Sequence, residues 1–306
     1  MTPSAALTLT ADRRRSTGET HQALYPLLPR SGRPLSIPAA RHAEQARLEA
    51  AIFQRVCALG GLSEHPLGIV RVSPQEDLLT LQLVDEPFVI SHWIDFVYPR
   101  VGGDAGDDPR DRVSGVPGLR SSREAGGIRL YWPGMAGAVL LRGFNPRWWD
   151  RIADRREGVY GSLLRHADWT GVEQAAYTAQ VAHPFEPSAL LSPLFRRIRL
   201  TAGPGPVNST DTWTFKKGVR LETTDGPPCP VLIRLLTQGP CALGWQVTRK
   251  VCTCMCDHSH ASVGCTVDFH DPATGRPVWY ANLKWGRTLD NRRLETVAGL
   301  NRAAFA

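Results

Sequence analysis

The sequence predicts an α+β protein in which an N-terminal helix and short antiparallel strands precede a β-rich C-terminal half with a zinc-stapled hairpin. Three observations predict it. Apolar residues recur at helical spacing in one early segment, later apolar runs are short and bounded by Gly, Pro, Ser and Asp, and six of seven cysteines fall between Cys229 and Cys265. With 306 residues, 42% of them hydrophobic and 21% charged, the chain has material for one large core or two small ones, which excludes a wholly disordered protein. Its 28 glycines and 24 prolines favour turns over long helices without reaching a fibrous composition.

Residues 1–37 are rich in Ser, Thr, Pro and Arg with little apolar periodicity, and read as a disordered or loosely docked arm. The α+β region, 38–160, opens with a helix from about Pro38 that aligns Leu48, Ile52, Val56 and Leu59 on one face, carries Cys57 and stops at Gly60-Gly61. Leu67 to Val72, Leu78 to Val84 and Phe88 to Trp93 then read as strands of a meander. Residues 101–127 mix Asp, Arg, Gly and Ser and read as a mobile surface insertion. Strands resume at Ile128 to Trp132 and Ala138 to Leu141. Asn145-Pro146 supplies an N-cap and first helical residue for a short helix with Trp148, Trp149 and Ile152.

The remaining region, 161–306, reads as β-rich and metal-binding. A helical stretch from Gly171 ends at Pro184, and strand-like runs follow: FRRIRLT from Phe195, TWTFKKGVRLET from Thr212, PVLIRLLT from Pro230, GWQVTRKVC from Gly244, VGCTVDFH from Val263 and PVWYANLKW from Pro277. A terminal helix is expected over 290–304, and no internal repeat is visible.

Cys252, Cys254, Cys256, His258 and His260 occupy alternate positions, followed by Cys265 and His270. Thiolate and neutral imidazole are the donors Zn²⁺ prefers, and soft sulfur disfavours Mg²⁺ and Ca²⁺. Alternate residues on a straight strand lie ~6–7 Å apart, whereas sulfurs sharing a tetrahedral zinc sit within about 4 Å, so the backbone must bend. The sequence therefore predicts a strand from Trp245 to Cys252, a knuckle over 253–261 and a return strand from Cys265 to His270. The expected ligands are two of Cys252, Cys254 and Cys256, one of His258 or His260, and Cys265. Cys229 and Cys241, each beside a proline, read either as core thiols or as ligands from an adjacent loop. Asp268 to Pro272 reads equally as a turn with a solvated His270.

Thiolate dominance points to a closed, structural zinc. His258-x-His260 with Asp257 and Asp268 is the one pattern a zinc hydrolase would share. The chain has no glycine-rich phosphate loop ending in Lys-Ser/Thr, and no G-x-S-x-G elbow, which argues against a nucleotide-hydrolysing motor and a serine hydrolase. A binding protein is expected rather than an enzyme.

Lys and Arg total 36 against 29 Asp and Glu, a net charge of +7, which suits an anionic partner. Arg196, Arg197 and Arg199, then Lys216 and Lys217, then Arg249 and Lys250 place cations on successive runs, among Trp213, Phe215, Trp245, Trp279, Tyr280 and Trp285. Cations beside aromatic rings are how single-stranded nucleic acid is commonly held. The chain lacks a basic-then-apolar leader and any apolar stretch long enough to span a bilayer, and its odd number of clustered cysteines suits reduced thiols. The resulting expectation is a zinc-stabilised intracellular regulatory protein, of cytoplasm or nucleus, that contacts nucleic acid. Two alternatives stand beside it: a protein–protein adaptor of viral or host-interaction type with an acidic partner and structural zinc, and a zinc-dependent hydrolase using His258 and His260.

Overall fold

The computed structural model describes residues 3–57, 63–101, 108–157, 163, 166–183, 185–203, 209–215, 217–251 and 265–283. In chain order its elements are α1 (Pro3–Thr17), α2 (His21–Leu24), α3 (Ala43–Val56), β1 (Ile69–Pro74), β2 (Leu78–Leu83), α4 (Pro87–Val97), β3 (Arg100–Val101), β4 (Val113–Ser114), β5 (Arg120–Glu124), β6 (Gly127–Tyr131), β7 (Ala138–Arg142) and α5 (Pro146–Glu157). The chain continues through α6 (Gly171–Val181), α7 (Ser188–Phe195), β8 (Ser209–Phe215), β9 (Gly218–Thr224), α8 (Cys229–Thr237), β10 (Gln246–Val251), β11 (Cys265–Asp271) and β12 (Arg276–Leu283). The protein is thus mixed α+β. Among the described residues no helix is long and apolar enough to cross a membrane.

Ten of the twelve described strands form two five-stranded sheets, ordered β1-β2-β7-β6-β5 and β10-β11-β12-β9-β8, and β3 pairs with β4 in a two-stranded ribbon. Each five-stranded sheet contains one parallel pair, β2 with β7 and β9 with β12, and is otherwise antiparallel. The two sheets follow the same path. An antiparallel hairpin leads into a helix, and a three-stranded meander then returns its last strand beside the second strand of the hairpin: β1-β2-α4-β5-β6-β7 in the first half, β8-β9-α8-β10-β11-β12 in the second. No internal repeat is visible in the sequence, so the duplication is one of topology. The order of elements and strand pairings is repeated, whereas the residues are not.

The helix before each hairpin joins the halves. On α3, Leu48, Ile52 and Val56 are buried at the spacing the sequence predicts, joined by Phe53; the helix starts at Ala43 rather than near Pro38, Leu59 lies outside the described residues, and Cys57 caps the C-terminus. Phe53 stacks on Phe195 of α7, with ring centroids 4.8 Å apart and planes 12° from parallel. One contiguous apolar core runs from Leu48 through Trp93, Phe195 and Leu232 to Tyr280, so both sheets share it.

Several local expectations change. Residues 88–93 belong to α4: Pro87 starts the helix, Val89, Ile90, Trp93, Ile94 and Val97 are buried, and Trp93 Nε1 donates to the Leu67 carbonyl at 3.0 Å. The run PVLIRLLT lies in α8, burying Leu232, Leu235 and Leu236 at helical spacing. FRRIRLT spans the end of α7 and a 3₁₀ turn, Ile198–Thr201. In each case the apolar run is too short for its period to distinguish helix from strand.

The described part of the expected arm is structured: α1 and α2 bury Ala6 and Leu24, and Arg13 Nε meets Glu19 Oε2 at 2.7 Å with both side chains buried. Residues 108–127, expected to be a mobile insertion, bury Val113, Val116 and Leu119, and Arg120 is bound to Glu173 of α6. Thr170 and Glu173 form a capping box at the start of that helix. The expected terminal helix over 290–304 lies outside the described residues.

Candidate functional site

Among the described residues β10 is an edge strand that pairs with β11 alone. The antiparallel register runs from Gln246 opposite His270 to Val251 opposite Thr266, with a bulge between Val247 and Arg249. Both arms of the predicted hairpin are therefore present. All six residues of β10 are exposed, including Arg249, Lys250 and two valines, Val247 at 40% and Val251 at 43%.

The topological repeat gives this hairpin a counterpart. In the first half, β5 and β6 are joined by two residues, Ala125 and Gly126, the latter with a φ of 77° that a side chain would resist. In the second half, the equivalent connection spans residues 252–264, thirteen in all, and includes Cys252, Cys254, Cys256, His258 and His260. Those five expected ligands lie outside the described residues. Cys265, the sixth, starts β11 opposite Asn282 and is 2% exposed.

Cys57, Cys229 and Cys241 are buried. Burial pushes the Cys57 thiol well above its ordinary range. Burial likewise lifts Cys241 to about 11, and its Sγ–H donates to the Leu35 carbonyl at 3.1 Å. Thiols held protonated at neutral pH pack as small apolar groups. No group of three metal-binding side chains occurs among the described residues. Asp268 and His270 lie within β11 and are half-buried. The turn begins later, where the Asp271 carboxylate accepts hydrogen bonds from the Ala273 and Thr274 amides at 3.3 and 3.1 Å.

The expected nucleic-acid face does not assemble as one patch. Arg196 is fully buried, its Nε and Nη2 donating to Glu49 at 2.8 and 2.6 Å and its Nη1 to the Pro38 and Gln75 carbonyls. Arg197 donates to the Cys241 carbonyl at 2.7 Å, and burial brings its pKa down to about 10. Arg199 is half-buried and reaches the Ile69 carbonyl and the His65 ring. These three arginines are internal struts, a correction that follows from the helical path of 195–201, which turns them inward.

Lys217 is exposed in the β8–β9 turn, while Lys216 lies outside the described residues. Four strand spacings, roughly 19 Å, separate the β8 and β10 edges. Trp245 and Tyr280 are core residues, and Phe215 packs on Trp279 at 4.2 Å. Trp213 is 41% exposed beneath the Arg220 guanidinium. Trp285 lies outside the described residues.

No family model, curated protein or solved structure matches this chain. Its chemistry must be read from its own residues. Among the described residues, the outer edge of β10 has main-chain donors and acceptors without a strand partner, two cations and two apolar side chains, and the strand runs into a segment rich in soft metal donors.

Proposed function

We propose that the protein is an intracellular, non-enzymatic adaptor in which zinc bound by the 252–264 segment and Cys265 rigidifies the β10–β11 hairpin, and the β10 edge accepts an extended acidic segment of a protein partner. The observation that carries this reading is the full exposure of β10, with Arg249 and Lys250 beside Val247 and Val251. An added strand gains affinity from main-chain hydrogen bonds and specificity from alternating side chains. Soft thiolates suit a closed structural zinc, which supports binding rather than hydrolysis.

The test uses the full chain with a fluorescently labelled peptide of alternating Glu and Val. Zinc-dependent binding that Val247→Pro and Arg249→Glu each weaken about tenfold is expected. Unchanged affinity in both variants, or no binding at all, contradicts the reading. Single-stranded nucleic acid is the second reading, favoured by exposed Trp213 and Lys217 on the β8–β9 hairpin. Salt-sensitive oligonucleotide binding stronger than peptide binding would select it.

A further inference from the structure

A cleft of about 390 Å³ lies between the halves, bounded by α3, α6, the 115–117 loop and β8. Its volume falls in the range of small-molecule sites, ~300–1,000 Å³. Arg47, Ala50, Ala51, Gln54 and Arg55 line its floor. They are spaced i, i+3, i+4, i+7 and i+8 on α3, so they share one helical face, with the small alanines leaving room between the two guanidiniums.

Arg47 Nε is buried without a hydrogen-bond partner. Among the described residues, neither Arg47 nor Arg55 forms a salt bridge. Burial lowers the Arg55 pKa, and the Asp111 carboxylate acts against that shift. Of the other charges in the cleft, Arg110 is paired with Asp108, whereas the Glu186 carboxylate accepts from the Ser188 amide and hydroxyl and keeps its negative charge on the opposite wall from α3. A half-buried cation with no bonded counter-charge is unfavourable, and such groups concentrate where a ligand supplies that charge.

The walls are aromatic. Trp132 meets Tyr177 edge to face at 5.1 Å and is fixed by a hydrogen bond from its Nε1 to the Pro117 carbonyl at 2.9 Å. Trp213 enters from β8.

We infer that this cleft binds an aromatic organic anion, with its phosphate or carboxylate head held by Arg47 and Arg55 and its ring packed against Trp132, Tyr177 and Trp213. The inference is independent of zinc and of β10.

Full-length protein is titrated with adenosine 5′-monophosphate, 2-naphthoate and uncharged adenosine, by calorimetry and tryptophan fluorescence. The two anions distinguish a phosphate from a carboxylate head. At least one is expected to bind at submillimolar concentration and about tenfold or more better than adenosine, with Arg55→Gln losing about tenfold, Arg55→Lys losing less, and Arg249→Glu unchanged. Because neither arginine has a salt-bridge partner to lose, Arg47→Gln and Arg55→Gln should melt at or above the wild-type Tm. Absence of binding by both anions, equal binding of adenosine, or a marked fall in Tm in both variants would overturn the inference.

Discussion

Glu49 of α3 and Arg196 at the end of α7 form a two-point ion pair, 2.6 and 2.8 Å, with both side chains wholly buried between the two halves of the fold. Ser192 Oγ adds a third donor to the same carboxylate at 2.6 Å. The pair lies beside the Phe53–Phe195 stack, at the contact between the helices that precede the two hairpins. Replacing Arg196 with Met leaves a buried carboxylate with a single side-chain donor from Ser192 and one from Gln45, and is expected to cost about 3–5 kcal/mol. Urea unfolding measures it. A double variant, Glu49→Leu with Arg196→Met, should recover part of that loss, and no recovery would mean that the pair itself supplies the stability.

Across the same contact, Phe53→Ala and Phe195→Ala should each cost about 3–5 kcal/mol. Their double-mutant cycle should reveal a coupling of about 0.5–1.5 kcal/mol from the stacked rings. Strict additivity would show that the halves are joined elsewhere.

His92 of α4 is buried, its Nε2–H donating to the Val56 carbonyl at 3.1 Å, and burial lowers its pKa despite that bond and nearby Asp95. The folded state thus binds the proton less readily than the unfolded chain. The stability that neutral His92 contributes is fully present above an unfolded pKa of ~6.5 and is lost as pH falls through the lower folded value. Melting temperature should decline below about pH 6.5, and His92→Gln should flatten that decline. An equally steep acid limb in the variant would assign the effect to other groups.

Glu173 gives a second, more acidic transition. Desolvation raises its pKa, but hydrogen bonds from Arg120 and Thr170 outweigh this and lower it overall. Its contribution is present above the unfolded carboxyl pKa of ~4.3 and disappears as pH falls through the folded value. Glu173→Gln should remove this acid-dependent step in a pH series of urea midpoints, while weakening the protein at neutral pH by leaving Arg120 unpaired. An unaltered step would refute the assignment.

The sequence made some elements legible because local chemistry and tertiary packing agree there. The apolar face of α3 and the start of α5 at Asn145-Pro146 each combine a clear period with a capping or apolar-spacing signal, whereas the single run read from Thr212 is two antiparallel strands, β8 and β9. The hairpin arms around 252–264 were readable for a different reason, since clustered donors demanded a bend. Residues 88–93 and 230–237 were misread because short β-branched and leucine-rich runs satisfy both periods. The duplicated topology left no trace at residue level, as sheet order depends on long-range pairing. The inward arginines of 196–199, and Arg47 and Arg55, which have no salt bridge among the described residues, depend on burial, which charge counting does not resolve.

The most direct test of the adaptor account is zinc content of the full chain purified without chelator, measured by elemental analysis beside Cys254→Ser. The account predicts about one zinc per chain, reduced in the variant together with the stability of the β10–β11 hairpin. Absence of zinc, with cysteines 252, 254 and 256 freely reactive to a thiol reagent in the folded protein, would contradict it.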